Sequence, residues 1–185
     1  MKTESPTIVV HEIEPVWNKE STVLILGTMP SPKSREAGFF YMHPQNRFWK
    51  VLTQVFGETL IYANNVPQKD KAVEERRGFL IRHKIALWDV LKSCEIQGAA
   101  DSSIKNAVPN DFTQILSDSQ IKRIFCTGKT AFLLWNKYCA EKYRSFGITC
   151  ECLPSTSPAN GWWSFEKLVD AYSVLKNIDS PIQRT

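Results

Sequence analysis

Four short apolar segments alternate with helical segments along this chain, and this alternation restricts the fold more than any other feature. Most of each segment is apolar and rich in residues that favour strands, as expected of strands covered on both faces. The predicted strands are Thr22–Leu26, Ile85–Val90, Arg123–Thr127 and Ile148–Leu153. Strands separated by helices need crossover connections, which place the strands parallel in one sheet. The sequence therefore predicts an α/β fold, a three-layer α/β/α sandwich with a central, roughly four-stranded parallel sheet.

Helical periodicity occupies several of the intervals between these strands and follows the last one. Apolar residues recur every three or four positions over residues 46–56, 131–138 and 165–175, the pattern of a helix with one buried face. The charged segment Lys69–His83 predicts a further helix on the surface. A length of 185 residues fits one domain. We therefore expect a single domain over residues 16–178, with loosely ordered tails at residues 1–15 and 179–185.

Composition argues against several classes of protein. No apolar run approaches the roughly 18 residues of a membrane span, and no basic-then-apolar start indicates a signal peptide. The five cysteines are an odd number without paired CxxC motifs, so reduced thiols are expected rather than disulfides, zinc or an iron–sulfur cluster. A net charge of +4 permits binding to a polyanion without requiring it. The expectation is a cytoplasmic protein with no metal site.

Ligands of a parallel sheet bind beyond the carboxyl ends of its strands, where four loops begin. The loops start near Gly27, Leu91, Gly128 and Pro154. The first is the richest in functional groups, because it runs through Thr28, Met29 and Pro30 to an aromatic and polar stretch that ends at Trp49. Its glycine lets the backbone approach a ligand. Its aromatic residues, Phe40 and Tyr41, are candidates to stack on a flat base.

Two residues of the first loop have both a structural and a functional interpretation. Asn46 lies where a helix is expected to begin, and asparagine is a good N-terminal cap. His43, just before Pro44, is either an ordinary loop histidine or a ligand-binding side chain. The density of polar and aromatic groups at a strand end favours a functional loop, while the role of Asn46 by itself stays open.

The other loops hold fewer candidates. Hydroxyl and amide side chains after the fourth strand suit phosphate oxygens, although an ordinary helix-capping loop has the same composition. These DNA-binding candidates are Ser155, Thr156, Ser157 and Asn160. Asp89, in the second apolar strand, must be hydrogen-bonded, either as a functional group or as a tie for its loop. Gly128-Lys129-Thr130 lacks the earlier glycine of a GxxxxGK[ST] phosphate-binding loop.

Three motifs together carry a family resemblance. They are G-T-M-P from Gly27, Y-M-H-P-Q-N-R-F-W from Tyr41 and L-P-S-T-S-P from Leu153. Their combination resembles the uracil-DNA glycosylase superfamily, and within it the hypoxanthine-DNA (deoxyinosine) glycosylase branch, over about residues 23–178. The segment A-L-W-D-V-L, with Gly98 and the residues from Asp101 after it, also resembles that branch.

The resemblance implies a monofunctional DNA glycosylase with an α/β/α fold, with DNA as its partner, no cofactor and no lyase step. We also expect a monomer. The resemblance assigns catalysis to Asn46, the asparagine of the H-P-x-N motif. Mismatch-specific relatives have the pattern G-x-N-P, where this chain has Met29. A thioether cannot orient a water molecule, so strong uracil activity is not expected. Several relatives also have a leucine wedge where this chain has Ser157-Pro158-Ala159, which favours poorly paired lesions or single strands.

These inferences combine into one predicted activity with three alternatives. The enzyme flips a deaminated base, above all hypoxanthine, into a pocket and hydrolyses its N-glycosidic bond, with Asn46 orienting the water or bonding the leaving base. Asp89 would accept the N1–H of that base. The residues predicted to bind the substrate are Gly27, Thr28, Met29, Pro30, Phe40, Tyr41, His43 and Asp89. The alternatives are a uracil or mismatch-specific glycosylase, a non-catalytic binder of damaged DNA, and a small nucleotide-binding protein with Lys129 on phosphate.

Overall fold

The fold is given by a computed structural model, which describes residues 7–62, 68–98 and 100–176. Its strands and helices in chain order are β1 (Thr7–Val10), β2 (Val23–Gly27), α1 (Pro32–Ala37), α2 (Phe48–Phe56), α3 (Lys69–Arg82), β3 (Ile85–Asp89), β4 (Leu91–Ile96), β5 (Lys105–Pro109), α4 (Thr113–Asp118), β6 (Arg123–Thr127), α5 (Lys129–Tyr138), β7 (Thr149–Leu153) and α6 (Phe165–Tyr172). Short 3₁₀ helices cover Asp101–Ser103, Arg144–Phe146 and Ser173–Lys176.

The predicted parallel sheet is confirmed, with the strand order β3-β2-β6-β7. Each neighbouring pair in this sheet is parallel. Alternate residues of β2 point to opposite faces. Val23 and Ile25 join the core beneath α2, α3 and α6, while Leu24 and Leu26 join the core beneath α4 and α5. The central strand is therefore apolar throughout because both of its faces are covered, and the α/β/α layering predicted from the sequence is present.

A second, antiparallel sheet of order β1-β4-β5 was not predicted. It packs on the α4 and α5 side of the parallel sheet, where Val9 and Cys94 join the buried core. The expectation of a loosely ordered segment through residue 15 is therefore wrong for residues 7–10, because β1 forms a hydrogen-bonded ladder with β4. Residues 1–6 and the predicted tail at 179–185 lie outside the described residues.

The chain also continues directly from β3 into β4, where the sequence predicted a loop near Leu91. Only Val90 separates the two strands, and its N–H donates to the carbonyl of Gly27. Asp89 therefore occupies the last position of β3, at the carboxyl edge of the parallel sheet. Within the described ranges, no helix combines the length and hydropathy that crossing a bilayer would require.

Candidate active site

A cavity of about 610 Å³ opens at the carboxyl edge of the parallel sheet. This volume lies within the roughly 300–1,000 Å³ usual for small-molecule sites. The strand ends contribute Gly27 from β2, Asp89 from β3 and Thr127 from β6. The loop from β2 to α2, the segment around Asp101 and the loop after β7 complete its walls. The cavity thus lies where the topology of a parallel sheet predicts a ligand site.

Gly27 and Asp89 lie side by side because β2 and β3 pair in parallel register. A Cβ atom at position 27 would come within 2.1 Å of Asp89 Oδ1 and 2.9 Å of the Tyr41 hydroxyl oxygen. No side chain fits in that space. The glycine is therefore required so that a carboxylate and a phenol can both approach the end of β2.

Asp89 is held from two directions. Its carboxylate Oδ2 lies 2.9 Å from Nε2 of His11, and its backbone carbonyl accepts a hydrogen bond of 2.9 Å from the Asn110 side chain. The Asp89 side chain is only 5% exposed. Oδ1 has no hydrogen-bond partner among the described residues, yet it does not belong to their fully buried side-chain atoms that lack a partner. It is therefore open to a donor in the cavity.

Tyr41 forms a rigid wall of the cavity. Its backbone has φ of 55°, a left-handed conformation that side chains rarely adopt and that is often found at functional sites. Its ring stacks on Phe48 with centroids 3.8 Å apart. The Thr127 hydroxyl donates to the Leu26 carbonyl, so the Tyr41 hydroxyl donates to Thr127 across 2.7 Å. Burial, reinforced by the charge of Asp89, raises the pKa of Tyr41 well above its ordinary value, so this phenol stays neutral.

The N-cap residue of α2 is Arg47 rather than Asn46, one residue later than predicted, but the Asn46 side chain still accepts from the first helical N–H as a cap would. The Asn46 side-chain oxygen accepts from the Phe48 N–H at 2.9 Å and from the Thr156 hydroxyl at 2.9 Å. Both lone pairs of that oxygen are thereby used. Among the described residues, the side-chain NH₂ group has no hydrogen-bond partner, and Asn46 lines the cavity. These two contacts leave the NH₂ group as the part of the amide that is available to the cavity.

The loop after β7 is fixed by Arg47, which follows Asn46. The guanidinium of Arg47 donates to the carbonyls of Ser157 and Asn160 at 2.9 and 3.0 Å, and also to the Trp163 carbonyl. Its backbone N–H donates to the carbonyl of Thr156. One cation therefore gathers the carbonyl groups of the loop and leaves the opposite side of the loop facing the cavity.

Comparisons with known proteins identify the family of this chain. The sequence matches the family described as the uracil DNA glycosylase superfamily over residues 15–176. The chain belongs to the uracil DNA glycosylase superfamily. A hypoxanthine DNA glycosylase of Methanosarcina acetivorans is 31% identical over 149 residues, which is 78% of this chain and 84% of the relative. A protein of the same name from Methanosarcina barkeri is 33% identical over 148 residues, covering 79% of this chain and 85% of the relative.

A solved structure supports the same family assignment. The solution NMR structure of a candidate uracil DNA glycosylase from Methanosarcina acetivorans superposes with a TM-score of 0.73 and 26% identity, covering 94% of this chain and all of that one. Within the superfamily fold, the cavity of this chain gathers every site residue expected from the sequence. They are Gly27, Thr28, Met29, Pro30, Phe40, Tyr41, His43, Asn46, Asp89, Ser155, Thr156, Ser157 and Asn160.

Two of these expectations need correction in their details. The Thr156 side chain was predicted to contact DNA, but the residue is 1% exposed and its hydroxyl donates to Asn46, so it holds the amide instead. Phe40 was a candidate to stack on the base. It is also 1% exposed and packs against Phe39 and His11, so neither face of its ring is free to stack on a base.

Four further residues at or behind the cavity were not predicted from the sequence: Asp101 and Thr127 line it, whereas His11 and Arg47 contact residues that line it. His11 lay in the segment expected to be loosely ordered. Asp101 accepts a 2.8 Å hydrogen bond from the Thr28 hydroxyl. Desolvation by the surrounding protein atoms raises the pKa of the Asp101 carboxyl group, and the nearby negative charge of Asp89 raises it further. Arg47 could have been suspected from its place in the motif beside Asn46, whereas nothing in the sequence marks Thr127.

The chemistry available in the cavity is that of hydrogen bonding. Asn46 and His43 are potential donors, since His43 Nδ1 accepts from the Gln45 N–H and leaves Nε2 on the other side of the ring. Asp89 offers an acceptor. Within the described ranges, no three His, Cys, Asp or Glu side chains come together as a metal site. The cavity is therefore equipped to recognise a flat polar base and to place a donor on it.

Proposed function

We propose that this protein is a monofunctional DNA glycosylase that hydrolyses the N-glycosidic bond of hypoxanthine in deoxyinosine and leaves an abasic site. The observation that carries the proposal is the presence, in one cavity, of an acceptor on Asp89 and of an Asn46 NH₂ group that has no partner among the described residues. A base within a duplex cannot reach such a cavity, so the nucleotide must be flipped out of the stack, at a cost of a few kcal/mol.

Asp89 reads the Watson–Crick edge of the base. Hypoxanthine carries a hydrogen on N1, whereas adenine, from which it arises, has a bare acceptor at N1. The carboxylate oxygen Oδ1 accepts that hydrogen and would face the lone pair of adenine unfavourably. Buried polar groups that are left unpaired by the wrong base are a strong source of discrimination. The proposed preference for hypoxanthine over adenine follows from this one acceptor.

Asn46 acts on the leaving base. Cleavage of the glycosidic bond passes through a sugar with oxocarbenium character, and the base departs with the bonding electrons. The oxygen of Asn46 is occupied, so its amide has only N–H groups to offer. A pre-aimed N–H donor stabilises the negative charge that develops on the base. We therefore assign Asn46 to leaving-group stabilisation rather than to activation of water.

Hydrolysis without strand cleavage is part of the proposal. A lyase step needs an amine that can attack the sugar. Among the described residues that line the cavity there is no lysine. The expected product is an intact strand with an abasic site, which alkali then cleaves.

The DNA strand is held at the loop after β7. Ser155 and Asn160 stand on the cavity side of the loop that Arg47 organises. Trp162, two residues beyond Asn160, is 93% exposed, while its neighbour Trp163 packs on the core. An exposed tryptophan on a rigid loop is suited to stack on an unpaired base. Lesion DNA should quench the tryptophan fluorescence of the unaltered protein more than that of Trp162→Phe. Equal quenching in the two proteins would exclude this contact.

The decisive experiment is single-turnover cleavage of matched oligonucleotides that contain hypoxanthine, xanthine or uracil. Asn46→Ala is compared with Gln45→Ala, an exposed neighbour in the same loop that serves as the matched control. Cleavage at hypoxanthine that is revealed by alkali, kept by the control and lost by Asn46→Ala, supports the proposal. Binding of lesion DNA without release of any base would refute it and indicate a binding protein.

A preference for uracil is the alternative with an observation in its favour. Uracil also carries a ring N–H on its Watson–Crick edge, which the same Asp89 oxygen can accept. The oligonucleotide panel decides between the two, because a faster rate on uracil than on hypoxanthine would reassign the substrate within the same mechanism. The expectation of a cytoplasmic monomer remains part of the proposal, and sedimentation with and without DNA measures the oligomeric state.

A further inference from the structure

His11 connects the N-terminal strand to the cavity through Asp89. Its Nε2 atom lies 2.9 Å from Asp89 Oδ2, and the two side chains are 1% and 5% exposed. The backbone N–H of His11 donates to the Lys92 carbonyl of β4 at 2.6 Å, which continues the ladder that β1 begins. Pairing within the antiparallel sheet therefore places the imidazole of His11 at the end of β3.

Hydrogen bonds define the proton position on this imidazole. The Ile13 N–H donates to His11 Nδ1 at 3.2 Å, so Nδ1 must present a lone pair. The ring is consequently neutral, with its single N–H on Nε2, and that N–H donates to Asp89. The Ile13 carbonyl is fixed in turn by the Trp88 indole N–H at 3.2 Å.

The surroundings leave the ring little freedom to turn. The rings of Phe40 and Trp88 flank it, with centroids 6.0 and 6.2 Å away. Asp89 Oδ2 is thereby occupied by a fixed donor. Oδ1, which lies against the backbone of Gly27, is the oxygen left for a ligand.

We propose that His11 is a positioning residue that sets the preference for hypoxanthine over adenine by holding the Asp89 carboxylate with Oδ1 aimed at the N1–H of hypoxanthine. The inference rests on the proposed reading of the base by Asp89. Without the His11 donor, the carboxylate can rotate away from the position in which Oδ1 faces the base.

Two variants separate this role from a structural one. In His11→Gln the side-chain NH₂ reaches about as far as Nε2, so the donor to Asp89 is kept while the acceptor for Ile13 is lost. In His11→Asn the oxygen can take the place of Nδ1, so the bond from Ile13 is kept while the donor to Asp89 is lost. A residue that only held the local backbone would tolerate asparagine better than glutamine.

The measurement is the single-turnover rate on hypoxanthine divided by the rate on N1-methylhypoxanthine, which lacks the N1 hydrogen. This ratio does not depend on the folded fraction of a variant. We expect His11→Gln to keep the ratio of the unaltered protein. His11→Asn should lower it about 10- to 100-fold, the effect of a lost hydrogen bond to a charged group.

The outcomes distinguish this inference from the proposed function. An unaltered protein that does not cleave hypoxanthine refutes the proposed function itself. Cleavage of hypoxanthine with an unchanged ratio in His11→Asn overturns the positioning role while leaving the function intact. A ratio that falls in His11→Gln but not in His11→Asn also overturns it, because that order indicates a role confined to the backbone at Ile13.

Discussion

Replacing Asn46 by aspartate separates the two roles of its side chain. A carboxylate oxygen can still accept from the Phe48 N–H and the Thr156 hydroxyl, so the cap at the start of α2 is kept. A negative charge at a helix N-terminus is also favourable. The second oxygen, however, replaces the NH₂ group in the cavity. Asn46→Asp therefore removes the donor from the leaving base and adds a repelling charge while it preserves the local fold.

The expected magnitudes differ sharply for activity and stability. Loss of one pre-aimed donor to a developing anion costs about 2.7–4 kcal/mol, or roughly 10²–10³ in rate. The Asn46→Asp protein should lose at least this much in single-turnover cleavage of hypoxanthine. Its stability should stay the same or rise by about 0.3–1 kcal/mol. Asn46→Ala loses both roles, so its stability should fall by about 0.5–2 kcal/mol as well.

The assay pairs alkali-revealed cleavage with thermal unfolding on the same protein preparations. For a domain of this size, each kcal/mol corresponds to about 2–4 °C in Tm. Asn46→Ala should therefore melt measurably lower than Asn46→Asp, although both are inactive. Cleavage by Asn46→Asp within about threefold of the unaltered protein would refute the donor role. An equal fall in Tm for both variants would refute the cap.

Three further predictions concern two supports of the site and one exposed carboxylate outside it. Gly27→Ala should slow hypoxanthine cleavage about tenfold or more, because its Cβ would come within 2.1 Å of Asp89 Oδ1; an unchanged single-turnover rate would contradict the packing. Arg47→Met should lower the free energy of unfolding in urea by about 1–3 kcal/mol, because carbonyls of the loop after β7 lose their donor; an unchanged midpoint would show that water replaces the guanidinium. Hydrogen bonds from Thr113 hold the pKa of Asp111 well below its usual range. A lowered pKa stabilises the fold above the unfolded pKa of about 3.9 and loses this effect as pH falls. Asp111→Asn should therefore reduce the fall in Tm from pH 5 to pH 2, and parallel curves for the two proteins would disprove it.

The parallel sheet could be predicted because its sequence pattern has a single physical cause. A strand covered on both faces, such as β2, must be apolar throughout. A short segment that is apolar at every position has few other structural explanations. The helices α2, α5 and α6 each bury one face, so their periodicity survives in the sequence. The position of the cavity then follows from the topology of the sheet.

The antiparallel sheet could not be predicted in the same way. β5 reads K-N-A-V-P and is exposed at several positions, so its sequence lacks a strong strand pattern. β1 has only Val9 in the core, and its strand structure depends on pairing with β4, which is distant in sequence. The role of His11 depends on this long-range pairing. Local sequence therefore holds no signal that a histidine near the N-terminus reaches the cavity.

The structure also explains why the capping and catalytic interpretations of Asn46 could not be separated from the sequence. They are consequences of one orientation of the amide. The Phe48 N–H can only donate, so it requires the amide oxygen at its side and places the NH₂ group on the other side, and the Thr156 hydroxyl then donates to the same oxygen. The start of α2 thus provides the orientation that a flexible loop would not maintain. A residue type favoured at helix starts is therefore expected at a catalytic position whenever the reaction needs a donor rather than a base.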